Sequence, residues 1–220
     1  MTFSLVGMCR YTGMFGAAVT TSSIGVGSRC PYARAGVGAV LTQHRTDPQL
    51  GPRGLELLAA GQAASQVIDI LVQHNPTIGW RQLAVIDRHG ETAYYHGDKI
   101  QSIHAAARGD AVCAIGNIIR NEDVPQAMVE AFSQEPEEHL AERLLRALEA
   151  GLTAGGERKQ VKSAALLVVH EQPFPLVDLR VDLSPQPLAE LRFLWELYRP
   201  QMELYVGRAL DPDSVPYPET

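Results

Sequence analysis

The stretch that decides the fold opens the chain: Thr2-Phe3-Ser4-Leu5-Val6-Gly7-Met8-Cys9, then Arg10-Tyr11-Thr12-Gly13, then Phe15-Gly16-Ala17-Ala18-Val19-Thr20-Thr21. Both flanks are apolar and rich in β-formers, and the turn between them ends in Gly, so this stretch predicts a hairpin. Outward from it, a loop of small residues from Thr21 to Ser28 leads to a third strand over 36–43, whose small side chains permit close packing. Leu55, Leu57 and Leu58, then Val67, Ile68, Ile70 and Leu71, predict a helical region that Gly61 splits and Asn75-Pro76 ends. Segments 82–87 and 91–96 flank Arg88-His89-Gly90 and predict a second hairpin. A short buried strand over 111–115 ends at Gly116-Asn117. Helices follow over 124–132 and 138–150, the second with Leu140, Leu144, Leu145 and Leu148 on one face. Strands over 163–170 and 177–181 and a helix over 187–198 complete the pattern. Hairpins alternating with helix pairs fit an α+β protein of antiparallel sheets covered by helices better than a parallel α/β fold. The expected organisation is one domain over 1–198 and a proline-rich tail over 199–220 that wraps the domain or a partner subunit.

Composition narrows the function classes. Of the 220 residues, 45% are hydrophobic and 20% charged, enough for a buried core and unlike a disordered chain. The net charge of −6 argues against a nucleic-acid surface or a polybasic membrane anchor. No apolar run approaches the ~20 residues of a bilayer span, and the first residues lack a secretory signal pattern. Cys9, Cys30 and Cys113 are odd in number and form no CxxC pair, which disfavours a disulfide scaffold or a zinc ribbon. A soluble cytoplasmic protein is expected. The dinucleotide, phosphate-loop, zincin and serine-elbow motifs do not occur. His96, Asp98 and His104 lie close together but lack zinc-type spacing, so no metal and no cofactor is expected.

Thr2 has a distinct chemistry. Loss of Met1 would leave a hydroxyl and a free α-amine on one residue at the start of a strand. A threonine hydroxyl is a weak nucleophile until a base takes its proton, and an N-terminal amine, with a pKa of about 7.7–8.0, can be that base. A chain beginning Met-Thr is common, however, and carries little weight alone.

A wider pattern surrounds Thr2. Thr2-Phe3-Ser4, Thr12-Gly13, Ser22-Ser23, Val26-Gly27 and Arg29-Cys30-Pro31 belong to it, as do Arg34-Ala35-Gly36-Val37-Gly38-Ala39-Val40, Thr42-Gln43, Asp47-Pro48 and Gly51-Pro52-Arg53-Gly54-Leu55. So do Gly116-Asn117, Ser163-Ala164, Val177-Asp178-Leu179-Arg180-Val181-Asp182 and Leu194-Trp195-Glu196-Leu197-Tyr198. With these the chain resembles, from Thr2 to about residue 212, the bacterial family of domain of unknown function 1028, placed in the N-terminal-nucleophile (Ntn) hydrolase superfamily. The resemblance implies a four-layer αββα sandwich with the nucleophile at the tip of a central strand, and cleavage of amide bonds. Loss of Met1 would be the only processing needed.

Candidate site residues follow from that chemistry. Asn117 is the expected oxyanion donor, with turning the chain as its alternative role. Ser22 and Ser23 would orient the amine or a water, or only bond within their turn. Arg29 suits a carboxylate of the substrate, or a structural ion pair. Gln43 and Asp47 would bind substrate or hold the amine, or stabilise their loop, and His104 would relay protons or lie at the surface. Two functions are carried forward. One is an amidohydrolase acting on a small amide, lactam or imide through Thr2 and an acyl-enzyme. The other is a catalytically silent binding or assembly protein with the same fold. A small-molecule substrate and a homo-oligomer, dimer or higher, are the expected partners.

Overall fold

The structure is a computed structural model that describes residues 1–215. In chain order the strands are β1 (Thr2–Met8), β2 (Phe15–Thr21), β3 (Pro31–Arg34), β4 (Gly38–His44), β5 (Arg81–Asp87), β6 (Thr92–His96), β7 (His104–Gly109), β8 (Val112–Asn117), β9 (Ser163–Val169) and β10 (Val177–Val181). The helices are α1 (Leu50–Ala59), α2 (Ala64–Gln73), α3 (Asp123–Ser133), α4 (Leu140–Thr153), α5 (Pro187–Tyr198) and α6 (Met202–Leu210).

The opening hairpin forms as its sequence dictates. Gly13, at φ +74°, supplies the left-handed corner, and its N–H donates to the Cys9 carbonyl at 2.8 Å. That turn sets Phe3 opposite Thr20 and Met8 opposite Phe15. The hairpin lies at the centre of a six-stranded antiparallel sheet of order β10-β9-β2-β1-β8-β7. A second antiparallel sheet has the order β3-β4-β5-β6.

Side chains alternate across a strand, so each sheet has two faces to bury. Phe3, Leu5 and Ala18 of the larger sheet join Phe132, Leu144, Leu148 and Trp195 in the core beneath α3, α4 and α5. Gly7 and Gly16 let these helices approach: a Cβ at Gly7 would stand 2.7 Å from the Phe132 ring, and one at Gly16 2.6 Å from Leu144. Val40, Leu83 and Val85 of the smaller sheet bury against Leu55, Leu58, Val67 and Leu71 of α1 and α2. The inner faces meet through Val6, Ala17, Leu41, Ile86, Cys113 and Ile115. Removing a fully buried Leu or Ile of this kind from water contributes about 1.5–3 kcal/mol per side chain.

Two strands lie outside the sequence expectation. β3 and β7 are edge strands, half-buried and short of the apolar signal that marks the central ones. Helix α1 starts at Leu50, before the predicted onset, because Pro52 falls in its first turn where no backbone donor is needed. The proline-bearing tail is helical over Met202–Leu210, with Met202 buried and Tyr205 stacked on Tyr198. Residues 216–220 of that tail lie outside the described residues.

Candidate functional site around Thr2

The strand ends at one edge of the sandwich carry polar side chains on their inward faces. Thr2 and Ser4 follow the alternation of Val6; Thr21 follows Ala17; Asn117 follows Ile115 and Cys113. From the other sheet, Gln43 follows Leu41 and Gln82 follows Ala84. All six are buried. Buried polar groups demand partners, and these side chains supply one another. Ser4 Oγ donates to Gln43 Oε1 at 2.7 Å, and Gln43 Nε2 donates to Gln82 Oε1 at 2.5 Å. Asn117 Nδ2 donates to the same Gln82 oxygen at 2.9 Å, while Gln82 Nε2 donates to the Gly116 carbonyl at 2.9 Å. The chain of amides ties the two sheets together and fixes each amide's orientation. Asn117 Oδ1 is left without a partner although the residue is 0% exposed.

Thr2 sits where this network meets the loop after β2. It pairs with Asn117 across the β1–β8 ladder, and its Oγ1 lies 3.3 Å from Thr21 Oγ1. The Met1 carbonyl accepts from both hydroxyls, of Thr2 and of Thr21, and the Met1 thioether lies 3.5 Å from Ser22 Oγ. Met1 therefore covers Thr2. Burial lowers the pKa of the chain-start amine, and the nearby Glu157 carboxylate and Cys30 thiol partly restore it.

Glu157, which sequence reasoning did not find, stands beside this amine. It sits in the loop between α4 and β9, 3% exposed, and both carboxylate oxygens accept the Ser22 N–H, at 3.1 and 3.2 Å. Burial pushes its carboxyl up to about 7, against the pull of the Ser22 side chain, the amine and Thr21. On its other side a cavity of about 440 Å³ is lined by Arg120, Leu152, Lys159, Val161 and Leu188.

The remaining sequence candidates fall in different places. Ser22 is in the site through Glu157, and Gln43 through the amide chain. Ser23 is adjacent: its N–H reaches Thr21 Oγ1 at 3.5 Å, and its carbonyl accepts from Ser163 Oγ at 2.7 Å. Ser163 also receives the Val26 N–H and so pins the loop. His104 lies opposite Asn117 in the β7–β8 register, with Nδ1 2.7 Å from the Ser102 carbonyl oxygen. Its ring meets that of His96 edge-on, centroids 4.9 Å apart. Burial, then the neighbouring His104, holds His96 down to about 4. Arg29 is engaged elsewhere, donating to the Ile24 and Gly25 carbonyls. Asp47 staples its loop to the end of α2, accepting from Gln49 N at 3.2 Å and Asn75 Nδ2 at 3.0 Å. Cys30 and Cys113 are raised by burial to about 11 and about 12, so neither thiol is a ready nucleophile.

Among the described residues no group of three or more His, Cys, Asp and Glu side chains is arranged to hold a metal ion. Among them, too, no helix is long and apolar enough to cross a membrane.

The architecture that holds Thr2 recurs in another protein. The chain superposes on the crystal structure of protein SPO2555 from Silicibacter pomeroyi, described as a DUF1028 protein, with a TM-score of 0.83 at 30% identity. The match covers 90% of this chain and 88% of that one. No curated protein matches. A family model matches residues 2–191, from the first residue of β1 into α5, and the chain belongs to the family of unknown function DUF1028.

Proposed function

We propose that the protein is an N-terminal-nucleophile amidohydrolase that cleaves a small amide, lactam or imide C–N bond through Thr2. The observation that carries this reading is the position of Thr2. It is the first residue of a central strand, directly after Met1, and is buried at the polar edge of the sandwich. Two antiparallel sheets with helices over their outer faces support the four-layer αββα arrangement of that superfamily.

With Met1 removed, the Thr2 α-amine takes the hydroxyl proton as Oγ1 attacks the substrate carbonyl carbon. The tetrahedral oxyanion needs donors, each worth about 2.7–4 kcal/mol. Asn117 keeps one side-chain N–H for it, because Gln82 takes only the other. The C–N bond breaks as the ammonium returns its proton to the departing nitrogen, which leaves an ester on Thr2. Water then attacks that ester, giving a proton to the amine, and Oγ1 leaves with a proton from the ammonium. Gln43 and Gln82 hold Asn117 in place, and the soluble protein works in the cytoplasm as an oligomer.

Hydrolysis of a panel of small anilides, lactams and imides tests the reading. Activity that survives Thr2→Ser but is lost in Thr2→Ala supports it. Activity that persists in Thr2→Ala contradicts it.

A further inference from the structure

Glu157 is a buried carboxylate whose ionic needs are not met. A carboxylate has about four acceptor sites, yet among the described residues the main chain offers its oxygens a single donor, the Ser22 N–H. No Lys, Arg or His nitrogen among the described residues forms an ion pair with it. Arg120, the nearest guanidinium in its bonding pattern, donates instead to its backbone carbonyl at 3.0 Å. Burying a carboxylate without a cation costs stability, and such groups concentrate at functional sites.

The surroundings of Glu157 show what it serves. Thr21 directly precedes Ser22, whose N–H the carboxylate accepts, and its Oγ1 lies 3.3 Å from Thr2 Oγ1. The Thr21 proton is at present directed to the Met1 carbonyl. Loss of Met1 removes that acceptor and frees the proton for Glu157. With its proton turned to the carboxylate, Thr21 Oγ1 would stand as a bridge between Glu157 and Thr2 Oγ1, leaving the Thr2 hydroxyl proton for the freed amine. The loop cannot easily withdraw it, since Arg120 and the bridge between Ile119 and Glu157 anchor its main chain.

Resting on the Thr2 reading, we propose that Glu157 is a positioning residue. Through the Thr21 hydroxyl, it holds the Thr2 nucleophile and its freed α-amine in the arrangement that proton transfer requires. In the anionic form that prevails above neutral pH it neither gives nor takes the proton, which passes between the amine and the reacting groups. The charged or titratable groups around the pair are Cys30 and His44, which sense the amine, and Arg120 on the Glu157 backbone.

The test is the rate at which a β-lactone acylates Thr2 of the processed protein, read by intact mass from about pH 5.5 to about pH 9. Glu157→Gln keeps an acceptor for Ser22, so it isolates the charge. This variant should label about tenfold or more slowly at the alkaline plateau, a loss of about 1.4 kcal/mol of barrier lowering. The carboxyl's ionisation near neutrality should also vanish from its profile, leaving that of the amine. Thr21→Val should show the same loss, Thr21→Ser should restore it, and the double variant should be no slower than the slower single one. Labelling of Thr2 at the wild-type rate and pH profile in Glu157→Gln would overturn the positioning role and leave the nucleophile standing. Absence of any Thr2 adduct in the wild-type protein would overturn both.

Discussion

The space between the two sheets has two ends that are equally dry and chemically opposite. One end is closed by Phe15, Ala39, Ile86, Ala111 and Val169, the other by Thr2, Ser4, Thr21, Gln43, Gln82 and Asn117. The apolar end needs only volume to be stable, and its residues fit because buried aliphatic groups are interchangeable within their size. The polar end needs a partner for every donor and acceptor, and it succeeds except at Asn117 Oδ1 and, in ionic terms, at Glu157. Stability alone would have filled both ends with Leu and Val. On the proposed function, the polar end is where the fold gives up stability for chemistry.

The largest effect is expected at the apolar end. Ile86→Ala should destabilise the protein by about 2–5 kcal/mol through lost burial and an unfilled cavity. The remaining folded protein should still acylate Thr2 at its usual rate, which chemical denaturation and labelling together would check. A slower adduct at constant folded fraction would mean the two ends are coupled.

Gln82→Leu probes the polar end. It strands Gln43 Nε2, Asn117 Nδ2 and the Gly116 carbonyl, each of which Gln82 serves. A cost of about 1–3 kcal/mol is expected, and labelling should fall with it because Asn117 loses its orientation. Adding Gln43→Leu should cost less than the sum of the two single changes, since both members of one buried pair are then apolar.

Glu157→Gln should move stability on the order of 1–2 kcal/mol, in a direction set by pH. A carboxyl raised from 4.5 to about 7 binds a proton in the folded state that the unfolded state has released. Its contribution to stability is therefore lost as pH rises from 4.5 through 7, and the penalty is fully present above that. His96 and His139, both held down to about 4 by burial, act oppositely between about 4 and 6.5, where only the unfolded state is protonated. The informative quantity is thus the difference between the wild-type and variant melting curves. The variant should gain on the wild type from pH 5 to pH 8, and a constant gap would refute the raised carboxyl. The smallest effect belongs to Arg29→Ala: about 0.5–1.5 kcal/mol for its two carbonyl contacts, with the Thr2 adduct rate unchanged.

Much of this was legible beforehand, and the gaps have physical causes. The hairpin, the paired helices and the late strands announce themselves through period and turn chemistry. β3 and β7 do not, because Pro31-Tyr32-Ala33-Arg34 is short and opens on proline, and His104-Ala105-Ala106-Ala107-Arg108-Gly109 carries no β-branched residue. Thr2, Ser22 and Asn117 were visible because each sits beside a turn or a strand end with recognisable chemistry. Gln82 was not, since a glutamine in a strand signals nothing until the register shows what it faces. One clue was available: β5, read by alternation, places Gln82 on the same inward side as Ala84 and Ile86. Glu157 was hidden altogether, in a charged, glycine-flanked loop where an exposed acid is the ordinary expectation. Only the third dimension brings it to Ser22, 135 residues away.

The most direct measurement is the intact mass of the protein purified from its own cells, before and after exposure to an amine-inert β-lactone. The expected product is a chain one methionine residue lighter, carrying a single acyl adduct that fragmentation maps to the Thr2 side chain. A chain that retains Met1 while active, or an adduct that persists in Thr2→Ala, would contradict it.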